Sequence, residues 1–371
     1  MLIGLVGKPN AGKSTFFKAS TLAEIEIASF PFTTIKPNHA VGFVKIQCVD
    51  KDFNSQCNPR TGFCIHHNRF IPVDLLDVAG LIPGAHKGLG LGNQFLDDLR
   101  QADVLIHVID ASGSSNEKGE SVPVGSYDPA KDIRFLEDEI DFWFLWILKK
   151  GWEKFARQIQ QEHMDIVKTI AKQFAGLKIT EDIVKSAVKE LNLPSDVVSW
   201  TDENLLDFAR KLRKKSKPMI IAANKADVEG ADKNIEKLKK EFPDYTIIPC
   251  SAESELALRE AVKSKLINYV PGESDFMIVA EHKLNEAQKK GLSFIKKNVL
   301  KRYGSTGVQQ VLDKAVFELL NYIAVYPVAT SRLEDKEGNK LPDCYLIPAG
   351  TTALEFAYIC LLYTSDAADE L

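Results

Sequence analysis

Long hydrophobic runs are the first thing this 371-residue chain lacks. No stretch of 18 residues is free of charge, so a membrane-spanning helix, which needs about 20 mostly apolar residues, is not expected. The opening Met1–Gly7 carries no basic leader and no small-residue cleavage site, and its apolar run stops at Lys8; a signal peptide is not expected either. Cysteine is scarce: Cys48, Cys57, Cys64, Cys250, Cys344 and Cys360 follow no dense, even spacing. That argues against a disulfide framework and for a reducing, cytoplasmic setting. Charge of one sign is missing too. Lys and Arg number 47 against 51 Asp and Glu, a formal net charge of -4, so nothing draws the whole molecule to DNA or a membrane. An RNA contact would have to come from a local patch.

What the chain has is length and 45% hydrophobic residues, enough for two or three domains of about 100–200 residues. Short apolar runs at residues 2–6, 70–77, 104–110, 218–224 and 245–249 read as buried strands separated by helical stretches. This predicts an α/β fold, a doubly wound and mostly parallel sheet that binds ligands at the carboxyl ends of its strands. Between Asp128 and Lys217, Phe135, Leu136, Ile140, Phe144, Ile147 and Leu148 recur at helical spacing, which predicts a helical insertion. Leu292, Ile295, Val299, Val311, Ala315 and Leu319 continue helical periodicity, and a turn-rich, strand-like end follows from Tyr326.

The chemistry sits at the strand ends. Gly7-Lys8-Pro9-Asn10-Ala11-Gly12-Lys13-Ser14 fits G-x-x-x-x-G-K-[ST] between a strand and a helix, the context of a phosphate-binding loop. Backbone N–H groups wrap the phosphates, Lys13 reaches the β/γ-phosphates, and the Ser14 hydroxyl ligates Mg²⁺. Thr15 completes the stretch. Asp77-Val78-Ala79-Gly80 ends the second long strand, placing a carboxylate for Mg²⁺ and the Gly80 N–H for a γ-phosphate. Asn224-Lys225-Ala226-Asp227 ends another. A carboxylate at Asp227 accepts from both N1–H and the exocyclic amine of guanine, whereas adenine would leave it unpaired. Ser251-Ala252 follows the next strand and offers a backbone N–H to guanine O6. Together these motifs imply binding of GTP and GDP. Thr33 and Thr34 lie between the first helix and the next strand; Thr34 is the expected switch ligand of Mg²⁺, with Thr33 as the alternative. Gly84–Asn93 holds four glycines and reads as the second switch.

One catalytic group is missing. Where many small GTPases place a water-orienting glutamine after the D-x-x-G motif, this chain has Leu81, so hydrolysis is expected to be slow or assisted from elsewhere. Two candidates offer assistance. Asn10 can hold K⁺ beside the phosphates, or merely stabilise its loop; His107 can approach the γ-phosphate, though a packed core histidine is the favoured reading inside that strand. Cys48, Cys57, Cys64, His66 and His67 share one stretch. The Cys-x8-Cys-x6-Cys-x-His spacing lacks the tight C-x2-C knuckle, so a loop that merely contains thiols is preferred over a zinc site.

On Gly7–Thr15, Phe30–Asn38, Asp77–Phe95, the helical insertion, Tyr326-Pro327-Val328 and Gly338–Pro342, the chain resembles GTPases of the Obg superfamily and, within it, the archaeal-type branch of the YchF family. The resemblance implies a P-loop GTPase domain at 1–128 and 218–272, a coiled-coil-like insertion at 129–217, a helical connection at 273–325 and a partial TGS domain at 326–359. TGS domains are small β-grasp modules tied to RNA or ribosome binding, so a ribosomal partner is implied. YchF proteins often carry a variant base motif that relaxes preference toward ATP. Asn224–Asp227 is the regular guanine motif, and GTP is retained. The hydrophobic Leu81 also fits the superfamily. The likeness stops at Cys360: residues 360–371 resemble the translation of a sequencing-library adapter and are expected to be foreign to the protein. A metabolic phosphotransferase and a non-hydrolysing RNA-binding scaffold are the competing readings.

Overall fold

The computed structural model describes residues 1–21, 38–78, 92–328 and 333–366. In chain order the strands and helices are β1 (Leu2–Val6), α1 (Lys13–Thr21), β2 (His39–Gln47), β3 (Phe63–Ile65), β4 (Asn68–Asp77), α2 (Gly92–Gln101) and β5 (Val104–Asp110). Next come α3 (Ala130–Lys149), α4 (Trp152–Gln161), α5 (Ile166–Gln173), α6 (Glu181–Glu190), α7 (Asp202–Ser216), β6 (Met219–Asn224), α8 (Ala231–Glu241) and β7 (Ile247–Pro249). The remainder comprises α9 (Ala252–Lys263), β8 (Ile267–Asn268), β9 (Met277–Ile278), α10 (Glu286–Ile295), α11 (Lys301–Tyr303), α12 (Val308–Lys314), β10 (Tyr322–Val325), β11 (Tyr345–Pro348) and α13 (Ala353–Asp366). They form two compact units, Met1–Ser14 with Leu76–Cys250, and Thr15–Leu75 with Ser251–Leu371.

The first unit is built on parallel strands. β5 lies between β1 and β6, with Leu5 opposite Ile106 and Ile106 opposite Ile220, and β7 extends the sheet beside β6. Every residue of β5 is buried, which is why it reads as one apolar run: helices cover both faces of a parallel sheet. On one side α3 buries Leu136, Ile140, Trp143 and Phe144 in a core shared with Trp152, Trp200 and Phe208. The Trp152 and Trp200 rings stack with centroids 5.4 Å apart, and Trp200 meets Phe208 edge-on at 5.1 Å. Helix α7 starts on a Thr201/Asn204 capping box and is tied to α3 by Arg213, which donates to Asp141 at 2.8 Å and Glu137 at 3.1 Å. Buried Lys217 donates to the carbonyls of Arg100 and Ala102 at the end of α2, satisfying acceptors that a helix end leaves open. Burial pushes its ammonium down to about 8.

In the second unit β3 and β4 form an antiparallel hairpin that sets Phe63 opposite Phe70, their rings stacked at 4.5 Å. Helix α12 packs on β2: the Lys45 N–H donates to Asp313 at 2.7 Å, and Gln309 donates to the Phe43 carbonyl at 2.9 Å. Buried Glu255 on α9 accepts from Tyr269, Thr306 and Arg259. The helical periodicity after residue 285 resolves into α-helices joined to π-helical turns at Lys296–Leu300 and Ala315–Leu319. Strands β10 and β11 pair antiparallel, Tyr322 opposite Pro348. Among the described residues no helix is long and apolar enough to cross a membrane.

Candidate functional site

The site begins where β1 stops. A Cβ on Gly7 would lie 2.5 Å from the Val108 carbonyl oxygen, so only glycine lets the chain leave the sheet this close to β5. Gly12 has φ +91° and a Cβ there would stand 2.1 Å from the Asn224 amide nitrogen. The reason is a strut: Asn224 Nδ2 donates 2.9 Å to the Ala11 carbonyl. The end of β6, which carries the base motif, is thereby fastened to the phosphate loop.

Lys13 donates to the Asp77 carboxylate and, at 2.8 Å, to the Val78 carbonyl. The Val78 N–H is bonded to Leu5 O at 3.1 Å, which holds Asp77 beside the end of β1. Ser14 is exposed in the first turn of α1. Hydroxyl and carboxylate are hard oxygen donors of the kind Mg²⁺ prefers, so Ser14 and Asp77 fit that ion, which when bound would offset negative charge on the phosphates.

Lys8, expected among the nucleotide-binding residues of the loop, and Asp110, which sequence reasoning did not single out, both organise the surroundings. Lys8, buried, pairs with Asp132 at 2.9 Å, donates to the Ser115 carbonyl at 2.8 Å and lies 3.9 Å from the centre of the Tyr127 ring. Burial raises the Asp132 carboxyl, and Lys8 only partly offsets this. Asp110, fully buried at the end of β5, accepts from the hydroxyls of Ser112, Ser114 and Ser115 and from Lys225 Nζ at 2.9 Å. Burial pushes its carboxyl up, but Ser112, Ser115 and Lys225 outweigh it and the net shift is downward. A carboxylate ending a wholly apolar run was the available signal.

Lys225 is therefore a structural clasp between β6 and β5, at φ +60°. Asp227 is half-buried, and its carboxylate makes no hydrogen bond among the described residues.

Three further sequence candidates have defined surroundings. The Ser251 N–H donates to the Thr306 carbonyl at 2.9 Å, and its hydroxyl is bonded to Ser254. The Ser251 amide is thus committed within the second unit. His107 sits inside β5, 2% exposed, its pKa held down to about 3 by burial first and by the Lys8 charge second. It is a neutral core imidazole, the reading its strand favoured, and not a titrating group. Asn10, at φ +61°, donates its amide to the Gly119 carbonyl at 2.7 Å, which uses one end of the side chain to fix the loop and leaves Oδ1 as the possible cation ligand. Thr33, Thr34, Gly80, Leu81 and residues 84–91 lie outside the described residues. Gly92 and Asn93, the last residues of the expected second switch, open α2.

Comparison with known proteins places these features in a lineage. A family model described as a 50S ribosome-binding GTPase matches residues 2–132, and one described as an Obg-like GTPase, YGR210-like, G4 motif-containing domain matches residues 222–330. An uncharacterized GTP-binding protein of Methanocaldococcus jannaschii is 51% identical over 358 residues, covering 96% of this chain and 89% of that protein. The ribosome-binding ATPase YchF of Bacillus subtilis is 30% identical over 276 residues, covering 71% of this chain and 69% of that one. The crystal structure of a GTP-binding protein from Pyrococcus horikoshii superposes with a TM-score of 0.76 at 38% identity, covering 97% of this chain and 89% of that one.

Proposed function

The chain belongs to the YchF-like GTPases of the Obg superfamily and is a GTP-binding protein; from that premise we propose that it is a slow, Mg²⁺-dependent GTPase switch acting with the ribosome. The observation that carries the nucleotide part is the Asn224–Ala11 strut. It holds Asp227 at a fixed reach from the phosphate loop, so base recognition and phosphate binding act as one rigid ruler. Relatives differ in their names, GTP-binding in one and ATPase in another. In this chain the unpaired Asp227 carboxylate decides for guanine, because two N–H donors match it and adenine has neither.

Lys13 supplies positive charge toward the β/γ-phosphates, and Ser14, Asp77 and Thr34 are the ligands for Mg²⁺. Thr34 and Gly80 engage only when a γ-phosphate is present, which makes the two nucleotide states different surfaces for a partner. Leu81 can neither donate to nor accept from an attacking water, so the intrinsic rate is low. Asn10 Oδ1 is the proposed K⁺ ligand, and a rate that rises when K⁺ replaces Na⁺ at constant ionic strength supports it.

The ribosomal partner is inferred from the name of the Bacillus relative and the description of the matching family. Co-sedimentation with ribosomes in GDP and in a non-hydrolysable GTP analogue tests it, together with turnover measured with and without ribosomes. Binding that differs between nucleotides and turnover that ribosomes accelerate are expected. No sedimentation in either state removes the ribosome from the proposal, and no turnover in either condition leaves only a binding scaffold.

A further inference from the structure

The thiols that spacing assigned to an ordinary loop converge. Cys48 at the end of β2, Cys57 in the following loop and Cys64 on β3 bring their sulfurs together with a carboxylate oxygen of Asp50, all four atoms within 4.8 Å of one another. Cys48, Cys57 and Asp50 are buried, and the cysteines are free thiols. The Cys48 and Cys57 sulfurs are 3.5 Å apart, and Cys64 Sγ lies 3.8 Å from Asp50 Oδ2. A tetrahedral ion with bonds of about 2.3 Å to sulfur and about 2.0 Å to oxygen spaces its ligands by roughly 3.5–3.8 Å. His66, the histidine of the zinc alternative that the spacing disfavoured, is exposed and takes no part.

The surroundings suit thiolates. Arg69, fully buried, donates to the Cys57 sulfur at 3.7 Å and to the carbonyls of Leu341 and Pro342 at 3.0 Å each, and Tyr326 donates to the Cys48 sulfur at 3.8 Å. Asp50 is oriented by the Cys57 N–H at 2.8 Å and by His67 Nδ1 at 2.9 Å, the outer hydrogen bonds that fix metal ligands in place. As neutral thiols the three sulfurs make only long, weak hydrogen bonds to Asp50, from Arg69 and between themselves. A divalent ion makes the same arrangement favourable.

We propose that Cys48, Cys57, Cys64 and Asp50 form a closed tetrahedral site for a structural Zn²⁺-class ion. The loop it closes also holds the segment after residue 339, through Asn58 N–H to Lys340 O at 2.9 Å and Arg60 N–H to Pro342 O at 3.1 Å. The ion therefore pins that segment to the β3–β4 hairpin. This inference is independent of the nucleotide reading.

The test uses the full chain, purified under reducing conditions without chelator. Elemental analysis is expected to give about one zinc per chain. Cobalt substitution is expected to give the sulfur-to-metal charge-transfer and visible bands of a tetrahedral thiolate site. Cys57→Ser and Cys64→Ser should each lose the metal, while Cys360→Ser keeps it, and Asp50→Asn should weaken retention against a competing chelator at least about tenfold. If the serine variants fail to fold, the cobalt spectrum of the unaltered chain still decides. A metal-free reduced protein without thiolate bands overturns the proposal, as does metal that survives Cys64→Ser with an unchanged spectrum. A charge-transfer band reduced in Cys344→Ser would assign the fourth position to Cys344 and overturn the role of Asp50.

Discussion

Gly12 shows how much a single position can carry. Its φ of +91° and the 2.1 Å approach of the Asn224 amide forbid a methyl group on two independent grounds. Gly12→Ala is expected to lose nucleotide affinity and about 1–3 kcal/mol of stability from backbone strain alone, which equilibrium dialysis and urea unfolding measure separately. Asn224→Ala removes the other side of the contact and leaves the Ala11 carbonyl without its donor, at about 1–3 kcal/mol. That change should weaken GTP and GDP equally, since the strut supports the loop whichever phosphate is bound; a loss confined to GTP would contradict it. Lys13→Ala and Ser14→Ala should lower affinity for Mg-GTP, while Thr34→Ala should spare GDP. The positions of these glycines, the lysine and the serine at the turn from β1 to α1 were legible in the sequence because that pattern is local, eight consecutive residues long. The strut, the Lys8–Asp132 pair and the Asp110 cluster were not, because each joins residues about 100 or more positions apart or turns on a loop path that no pattern encodes.

Among the elements, the buried parallel strands were readable almost to the residue, β1 and β5 at their full extents, because burial on both faces writes an unbroken apolar run. Helices after residue 285 were readable as helices but not as π-turned ones, since the same apolar spacing serves both. The β2–α12 contact was hidden as well, and it carries a pH prediction. Asp313 on α12 is pushed up to about 7 by burial, against which the Lys45 N–H, the Gln309 side chain and the Lys45 charge pull only partly. In an unfolded chain an aspartate titrates near about 3.9. Between these values the folded state holds a proton that the unfolded state has released. Stability of the second unit should therefore fall as pH rises from about 4 to about 7 and level off above, by at most about 4 kcal/mol. Asp313→Asn keeps an acceptor for the Lys45 N–H and cannot ionise; it should flatten this part of the curve and unfold later than the unaltered chain at pH 8. Equal pH slopes for the two proteins in chemical unfolding would refute the assignment. The cysteine cluster is the opposite case of legibility: spacing argued against a metal, and only the reversal at the β3–β4 hairpin brings Cys64 back beside Cys48 and Cys57.

For the molecule as a whole, a net charge of -4 offers no general attraction to RNA, so ribosome association should depend on nucleotide state more than on salt alone. A sedimenting fraction that falls with salt identically in GDP and in a GTP analogue would point to non-specific adhesion. Membership of the YchF-like family leaves one question that belongs to this chain, namely how strongly it prefers GTP over ATP, since relatives carry both names. Everything proposed about switching depends on the answer. The direct measurement is the equilibrium affinity of the full chain for GTP and for ATP, each with Mg²⁺, in the unaltered protein and in Asp227→Ala. Strong preference for GTP is expected, with a loss of about 2–4 kcal/mol in GTP binding on removing the Asp227 carboxylate and little change for ATP. Equal affinity for the two nucleotides in the unaltered protein would contradict the account.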